Sequence, residues 1–142
     1  MPKSIIITKN GGPEVLELQD VNVGSPGPDE IKVTNHAIGL NYIDTYHRSG
    51  LYPLPLPSGI GLEGAGKIDE IGENVTEFNK GDKIAYASTP IGAYSEQRII
   101  PAKIAVKIPD EISLKMAATL MTKGLTTNYL LTQTYPLKAF KG

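Results

Sequence analysis

Residues 54–64 read LPLPSGIGLEG, and the interpretation of this segment separates two classes of fold. Its glycines Gly59, Gly61 and Gly64 match the G-x-G-x-x-G pattern of a dinucleotide-binding loop. Such a loop needs a buried strand before it and a helix after it, because the helix N-terminus must face the pyrophosphate. Here alternating prolines precede the glycines, and a strand-like stretch broken by Gly72 follows them. We therefore expect close backbone packing or a turn at this segment, and no phosphate loop.

The first hundred residues favour short strands divided by turns. Turn-forming residues recur at a spacing of roughly 8–12 residues, which is typical of antiparallel barrels and sandwiches. The 15 glycines and 11 prolines exceed the usual share of a protein. The predicted strands are Ser4–Thr8, Val15–Gln19, Glu30–Gly39, Gly61–Ile71, Lys83–Ala87 and Ala93–Pro101.

Two segments inside this region depart from the β pattern. Asn41–Arg48 predicts a helix of about two turns, which Ser49 and Gly50 close. The prolines of residues 53–57 exclude both helix and central strand, so a stiff, extended segment is expected there.

The pattern changes again after Pro109, where apolar residues recur at near-helical spacing. Ser113 is suited to be the N-cap. We expect two consecutive helices, Ile112–Met121 and Thr122–Leu131, whose leucines and methionines make core or interdomain contacts.

Composition excludes several classes of function. A chain of 142 residues accommodates one ordinary domain. Its 14 basic and 15 acidic residues leave no basic excess of the kind that nucleic acids or anionic membranes attract. The chain has no cysteine, hence no disulfide or thiolate metal site, and no apolar run approaches the ~20 residues of a membrane span. We expect a soluble, cytoplasmic protein without nucleic-acid or membrane partners.

Seven motifs, taken in their order and spacing, carry a specific resemblance that covers essentially the whole chain. They are GGPEVL at 11–16, GLNYIDTY at 39–46, RSGLYP at 48–53, PSGIGLEGAG at 57–66, KGDKI at 80–84, GAYS at 92–95 and KGLTTNYLL at 123–131. Together they resemble quinone oxidoreductases, the zeta-crystallin-like, zinc-independent members of the medium-chain dehydrogenase/reductase superfamily.

The resemblance implies a mainly β fold with α: a GroES-like, partly open antiparallel β-barrel, followed by helices that lead into a Rossmann domain. We expect a GroES-like catalytic domain at residues 1–111, and connecting helices with the start of an interdomain linker at 112–142. In the family, the Rossmann half carries the glycine-rich loop and most NADPH contacts, and the last segment returns to the GroES-like domain. The 142 residues contain neither piece, so we expect a truncated catalytic half that is inactive alone.

Metal-binding residues are sparse. Zinc-dependent relatives carry cysteine at the position of Asn41 and histidine at the position of Leu62. An aliphatic side chain cannot bind zinc, an amide is a poor ligand, and Glu63 alone makes no site. We therefore expect no zinc. His36 and His47 have no visible catalytic or ligand partner and are expected to be structural.

The resemblance implies hydride transfer from NADPH to a small-molecule quinone. Because quinones are electron-poor, phenol and amide donors suffice to activate them without a Lewis acid. We expect the catalytic residues to be Asn41, Tyr46 and Tyr52, in which each tyrosine offers an aromatic body and a hydroxyl. The expected NADPH contacts are Asn41, Tyr42, Asp44, Tyr46 and Thr126.

Each of these residues also has a structural alternative. Asn41 can cap a loop, and Tyr46 and Tyr52 can be ordinary aromatic residues at the core edge. Thr126 can be a surface threonine of a helix. For Asp44, capping the short helix is the stronger expectation than contact with a ligand.

Two further functions remain open. An enoyl-thioester or alkenal reductase of the same superfamily uses similar zinc-free chemistry. A stand-alone GroES-like module would bind a partner and catalyse nothing. If the chain is the truncated half, the helices from Ile112 onward should expose apolar surface that the second domain normally covers, so self-association into a homo-oligomer is expected.

Overall fold

The computed structural model describes residues 1–135. Its strands are β1 (Lys3–Ile7), β2 (Glu17–Asp20), β3 (Glu30–Gly39), β4 (Ser58–Gly59), β5 (Glu63–Ile71), β6 (Lys83–Ala87), β7 (Gln97–Pro101) and β8 (Val106–Lys107). The α-helices are α1 (Tyr42–Ser49) and α2 (Leu114–Tyr129), and a π-helical turn (Leu130–Thr134) extends α2. Two short 3-10 helices lie at Pro13–Val15 and Ala102–Ile104.

The strands form two antiparallel sheets. The smaller has the order β2-β1-β4 and the larger the order β7-β3-β5-β6-β8. Neither sheet closes on itself within the described residues. This mainly β architecture with two α-helices confirms the predicted fold class, with open sheets rather than a closed barrel.

The larger sheet separates two apolar clusters. Ile84 and Tyr86 of β6 belong to the main core, which also contains Ile31, Val33, Ile68 and Ile100. Ala85 lies between them and faces the opposite side of the sheet, as alternation along a strand requires. There it packs with Ala65 against Ala117 and Ala118 of α2. The small side chains let α2 lie close to the sheet.

Most predicted elements are present, but several bounds differ: β5 begins at Glu63 and not at Gly61, and β7 begins at Gln97 and not at Ala93. The strand expected at Val15–Gln19 begins only at Glu17, because Pro13 starts a 3-10 turn and Val15 is buried against Ile7 and Ile60. The two helices expected after residue 111 are a single helix, α2, capped by the Ser113 hydroxyl as predicted. The predicted division between Met121 and Thr122 is absent, because neither residue is a proline and both keep the backbone N–H that a continuous helix needs.

The G-x-G-x-x-G segment forms close backbone packing, as predicted. Gly59 lies in β4, Gly61 adopts a φ of +94°, and Gly64 lies in β5, so a strand and not a helix follows the motif. A Cβ on Gly61 would overlap the Tyr94 ring, and one on Gly64 would lie 2.6 Å from the Tyr86 hydroxyl oxygen. The glycines make room for aromatic side chains.

The division at residue 111 stays a prediction, and residues 136–142 of the second segment lie outside the described part of the chain. Over residues 1–135, no helix combines the length and the hydrophobicity that crossing a membrane requires.

Candidate active site

Helix α1 is held at both ends by specific contacts. At its start, the backbone N–H of Asn41 donates to Asp44 Oδ2 at 3.0 Å. The Tyr94 hydroxyl donates to the same oxygen at 2.8 Å, and Asp44 is buried. At its end, Gly50 takes the left-handed conformation with a φ of +84°. These contacts support the structural alternative for Asp44, which orients the first turn of α1.

The Tyr94 hydroxyl keeps the proton that it donates to Asp44. Burial, reinforced by the hydrogen bond to the Asp44 carboxylate, raises the pKa of the Tyr94 phenol above its usual range. The phenol therefore stays protonated at neutral pH and keeps donating to Asp44.

A polar cluster joins three distant parts of the chain, and we call it the Asn41–Glu63–Lys123 cluster. Glu63 is fully buried at the start of β5, where its Oε2 accepts a hydrogen bond from Asn41 Nδ2 at 2.6 Å. Its Oε1 accepts one from the backbone N–H of Thr122 at 2.8 Å. Lys123 Nζ donates to Asn41 Oδ1 at 3.1 Å and to the Leu40 carbonyl at 3.2 Å. The predicted residue Asn41 is thus anchored between a carboxylate and an ammonium.

Three tyrosines on and just after α1 form an aromatic surface, and we call it the tyrosine surface. Its rings belong to Tyr42 and Tyr46 of α1 and to Tyr52 just after the helix. The Tyr46 ring lies 5.3 Å from the Tyr42 ring and 5.3 Å from the Tyr52 ring, measured between centroids. Tyr42 and Tyr52 are exposed and Tyr46 is half-buried. The three predicted tyrosines therefore lie together at an accessible surface.

Thr126 and His36 belong to neither grouping, whereas His47 packs against the tyrosine surface. Thr126 is exposed on α2, three residues after Lys123, so both lie on neighbouring positions of one helical surface. His36 is exposed, and its Nδ1 lies 3.2 Å from the Thr34 carbonyl oxygen. His47 is buried with its ring 6.0 Å from that of Tyr52.

Lys123 and Thr122 were not among the predicted site residues, although Lys123 begins a family motif and Thr122 directly precedes it. The signal available was the KGLTTNYLL motif itself, which begins at Lys123. Nothing local in that motif indicates that the lysine meets Asn41, 82 residues earlier.

The donor groups around Asn41 are a poor fit for a metal ion. The Asn41 carbonyl oxygen faces the Lys123 ammonium, which would repel a cation, and Leu62 offers no donor atom. Over residues 1–135, no three histidine, aspartate or glutamate side chains are grouped so as to hold a metal.

Comparison with known proteins identifies the family of the chain. Residues 27–110 match the family model of the alcohol dehydrogenase GroES-like domain. The chain is 55% identical over 139 residues to a quinone oxidoreductase of Pseudomonas aeruginosa, covering 97% of this chain and 43% of that protein. It is 41% identical over 145 residues to a 2-haloacrylate reductase of a Burkholderia species, covering 97% and 43% of the two chains.

A solved structure extends the likeness to the fold. The Escherichia coli quinone oxidoreductase, solved in complex with NADPH, superposes with a TM-score of 0.93 at 47% identity, over 96% of this chain and 42% of that one. The chain thus spans less than half the length of these relatives. The fold, the family model and the motifs agree, and the chain belongs to the alcohol dehydrogenase GroES-like domain family, with the predicted resemblance to quinone oxidoreductases confirmed.

Proposed function

We propose that this chain is the catalytic-domain portion of a zinc-independent, NADPH-dependent quinone oxidoreductase. The observation that carries the proposal is the tyrosine surface, which lies on and just after the helix that Asn41 precedes. A quinone is flat and aromatic and carries two carbonyl acceptors. Stacked or edge-on tyrosines suit its ring, and phenol, amide and ammonium donors suit its oxygens.

Five residues are proposed to approach NADPH: Asn41, Tyr42, Asp44, Tyr46 and Thr126. When bound, this cofactor supplies the hydride. The Asp44 carboxylate is buried and accepts from two donors, so its contribution is to hold the first turn of α1 in place. Tyr42 and Tyr46 lie four residues apart on α1 and Thr126 is exposed on α2, whereas Asn41 is buried just before α1.

We also propose that the 142-residue chain binds NADPH only weakly and does not turn over alone. Within residues 1–135, the one G-x-G-x-x-G segment is occupied by aromatic packing and offers no helix N-terminus to a pyrophosphate. Calorimetric titration of the chain with NADPH should give no saturable heat in the micromolar range. A submicromolar dissociation constant would contradict the proposal.

Titration with tetramethyl-1,4-benzoquinone, followed by NMR, tests the acceptor side. This quinone has no ring hydrogen left, so amines do not add to it readily. We expect its addition to move the ring signals of Tyr46 and Tyr52. Tyr52→Leu should raise the dissociation constant by a factor of about three to ten, because an aromatic contact is lost. Tyr129→Leu is the matched control, since Tyr129 is as exposed (55%) as Tyr52 (48%) but lies on α2.

A second candidate, reduction of an activated carbon–carbon double bond, is favoured by the likeness to the 2-haloacrylate reductase. Competition between the quinone and 2-chloroacrylate separates the two. Preference for the carboxylate would favour the second candidate. Binding of neither ligand would favour the third interpretation, a GroES-like module without catalytic activity.

A further inference from the structure

The Asn41–Glu63–Lys123 cluster links three distant parts of the chain through hydrogen bonds. It connects the residue before α1, the first residue of β5 and the middle of α2. Two of its members, Asn41 and Glu63, are buried. Burying polar groups is favourable only when each has its partners, so the arrangement of the partners is informative.

Glu63 occupies a space shaped for its carboxylate. Gly39 lies beside it, and a Cβ at that position would stand 2.6 Å from the Glu63 carboxyl carbon. Each carboxylate oxygen accepts one hydrogen bond, Oε2 from the Asn41 amide and Oε1 from the Thr122 backbone. With no side-chain exposure, the carboxylate is held on two sides.

The partners of Asn41 leave its amide only one orientation. A carboxylate can only accept hydrogen bonds and an ammonium can only donate them. The NH₂ group must therefore face Glu63, at 2.6 Å, and the carbonyl oxygen must face Lys123, at 3.1 Å. Turning the amide over would set a donor against Lys123 and an acceptor against Glu63.

Lys123 is the exposed member of the cluster. Its ammonium has three N–H donors, of which one points to the Leu40 carbonyl and one to Asn41 Oδ1. The Glu63 carboxylate lies 4.0 Å away and balances its charge, and the lysine side chain is 57% exposed. One N–H remains for an oxygen that arrives from solvent.

We propose that Glu63 is a positioning residue, which fixes the Asn41 amide and through it the ammonium of Lys123, and that Lys123 binds an electron-rich oxygen of the acceptor. The identity of the acceptor, a neutral carbonyl compound of the quinone type, rests on the proposed function. The fixed orientation of Asn41 does not. Because Lys123 is balanced by Glu63, the cluster favours a neutral carbonyl oxygen over a carboxylate.

The positioning role can be tested without any ligand. NMR of the 142-residue chain should show one Asn41 side-chain amide proton shifted downfield by its bond to Glu63. Glu63→Gln keeps the size but loses the charge, so this proton should move upfield. An unchanged Asn41 amide signal in a folded Glu63→Gln variant would overturn the positioning role.

Lys123→Met gives a second route should Glu63→Gln not fold, because the lysine is more than half exposed. In this variant the Asn41 side-chain carbonyl carbon should shift, since it loses its donor. Lys115→Met, an exposed lysine on the same helix, should leave the signals of Asn41 unchanged. A Lys123→Met spectrum identical to that of Lys115→Met at Asn41 would refute the coupling between the two residues.

The binding role is tested by titration with tetramethyl-1,4-benzoquinone. Lys123→Met should weaken its binding by on the order of tenfold, the effect of losing one hydrogen bond to a charged group. Lys115→Met should bind normally, and Lys123→Arg should recover part of the affinity, because it keeps the charge with a different geometry. Equal affinities for the Lys123→Met and Lys115→Met variants, while the Tyr46 and Tyr52 signals still shift, would rule out the role of Lys123.

The two proposals can fail separately. If the Tyr46 and Tyr52 signals do not shift in the unaltered chain, the proposed function and quinone binding by Lys123 both fail. The Asn41 signals still decide the role of Glu63.

Discussion

Two glycines with similar positive φ values have different roles. Gly61 and Gly81 both have positive φ values, +94° and +90°. Around Gly81 nothing lies within 4 Å of a Cβ, whereas at Gly61 a Cβ would meet the Tyr94 ring. Gly81 thus only closes a turn, and Gly61 both turns the chain and admits an aromatic ring.

Alanine at these two positions should separate the backbone effect from the steric one. Gly81→Ala should lower the free energy of unfolding by about 1–2 kcal/mol, the cost of a left-handed conformation. Gly61→Ala should lose that amount and roughly 1–3 kcal/mol more, because its Cβ overlaps Tyr94. Urea denaturation measures both, and equal losses would contradict the packing role of Gly61.

The raised pKa of Tyr94 makes the free energy of unfolding depend on pH in the alkaline range. Burial and the Asp44 hydrogen bond raise the pKa of Tyr94 in the folded state, while the unfolded value is about 10. The stabilisation is therefore complete below about pH 10 and is lost as the pH rises above it, because the unfolded phenol releases its proton first. In Tyr94→Phe, the decline of the unfolding free energy above that pH should be shallower.

Some alkaline decline should persist in Tyr94→Phe, since burial also raises the pKa of Tyr86. Denaturation curves recorded at several pH values provide the measurement. An identical alkaline slope in the variant and the unaltered chain would show that Tyr94 does not contribute.

Among the elements, α2 changes character along its length. Its first half packs on the larger sheet through Ala117 and Ala118, with Leu114 and Met121 partly buried beside them. Beyond Gly124 every residue up to Tyr135 is exposed. The first half is therefore held by tertiary packing, while the second half depends on helix continuity and intrinsic propensity.

Gly124→Ala tests that continuity. A Cβ at Gly124 would make only ordinary contacts, the nearest with Leu120 Cβ at 3.8 Å. Because alanine favours a helix more than glycine does, the variant should gain about 0.5–1 kcal/mol in unfolding free energy. Thermal denaturation with circular dichroism is the measurement. A loss of stability would instead indicate that the chain breaks its helix at this residue.

For the molecule as a whole, the end of α2 and the turn that follows it expose several apolar side chains. Its exposed apolar side chains are those of Leu125, Tyr129, Leu130, Leu131 and Tyr135. An apolar surface of this kind favours association. We therefore propose that the 142-residue chain self-associates through this part of α2.

Sedimentation velocity at rising protein concentration tests the self-association. The unaltered chain should sediment faster as its concentration rises, and Leu125→Lys should remove most of that increase. Leu18→Lys is the matched control, because Leu18 is similarly exposed but lies on β2. Sedimentation that does not vary with concentration in the unaltered chain would contradict the proposal.

The sequence was sufficient for features whose cause lies within a few neighbouring residues. The strand at Glu30–Gly39, the helix after Asn41 and the Ser113 cap follow from alternation, capping chemistry and turn residues. The prolines before Gly59 likewise sufficed to reject a phosphate loop. The continuity of α2 across Met121 and Thr122 was not predicted, because apolar periodicity alone does not fix where a helix ends.

The arrangement of the candidate site depended on the folded chain. Local patterns nominated Asn41 and the tyrosines, but they could not show that Asn41 meets Glu63 and Lys123, which lie 22 and 82 residues further on. These contacts require β5 to pair with β3 and α2 to pack across the sheet. The sequence around Lys123 contains no signal of either arrangement. Sequence motifs identify which residues a site can use. Contacts between residues that are distant in the sequence form only when burial of the core brings their strands and helices together.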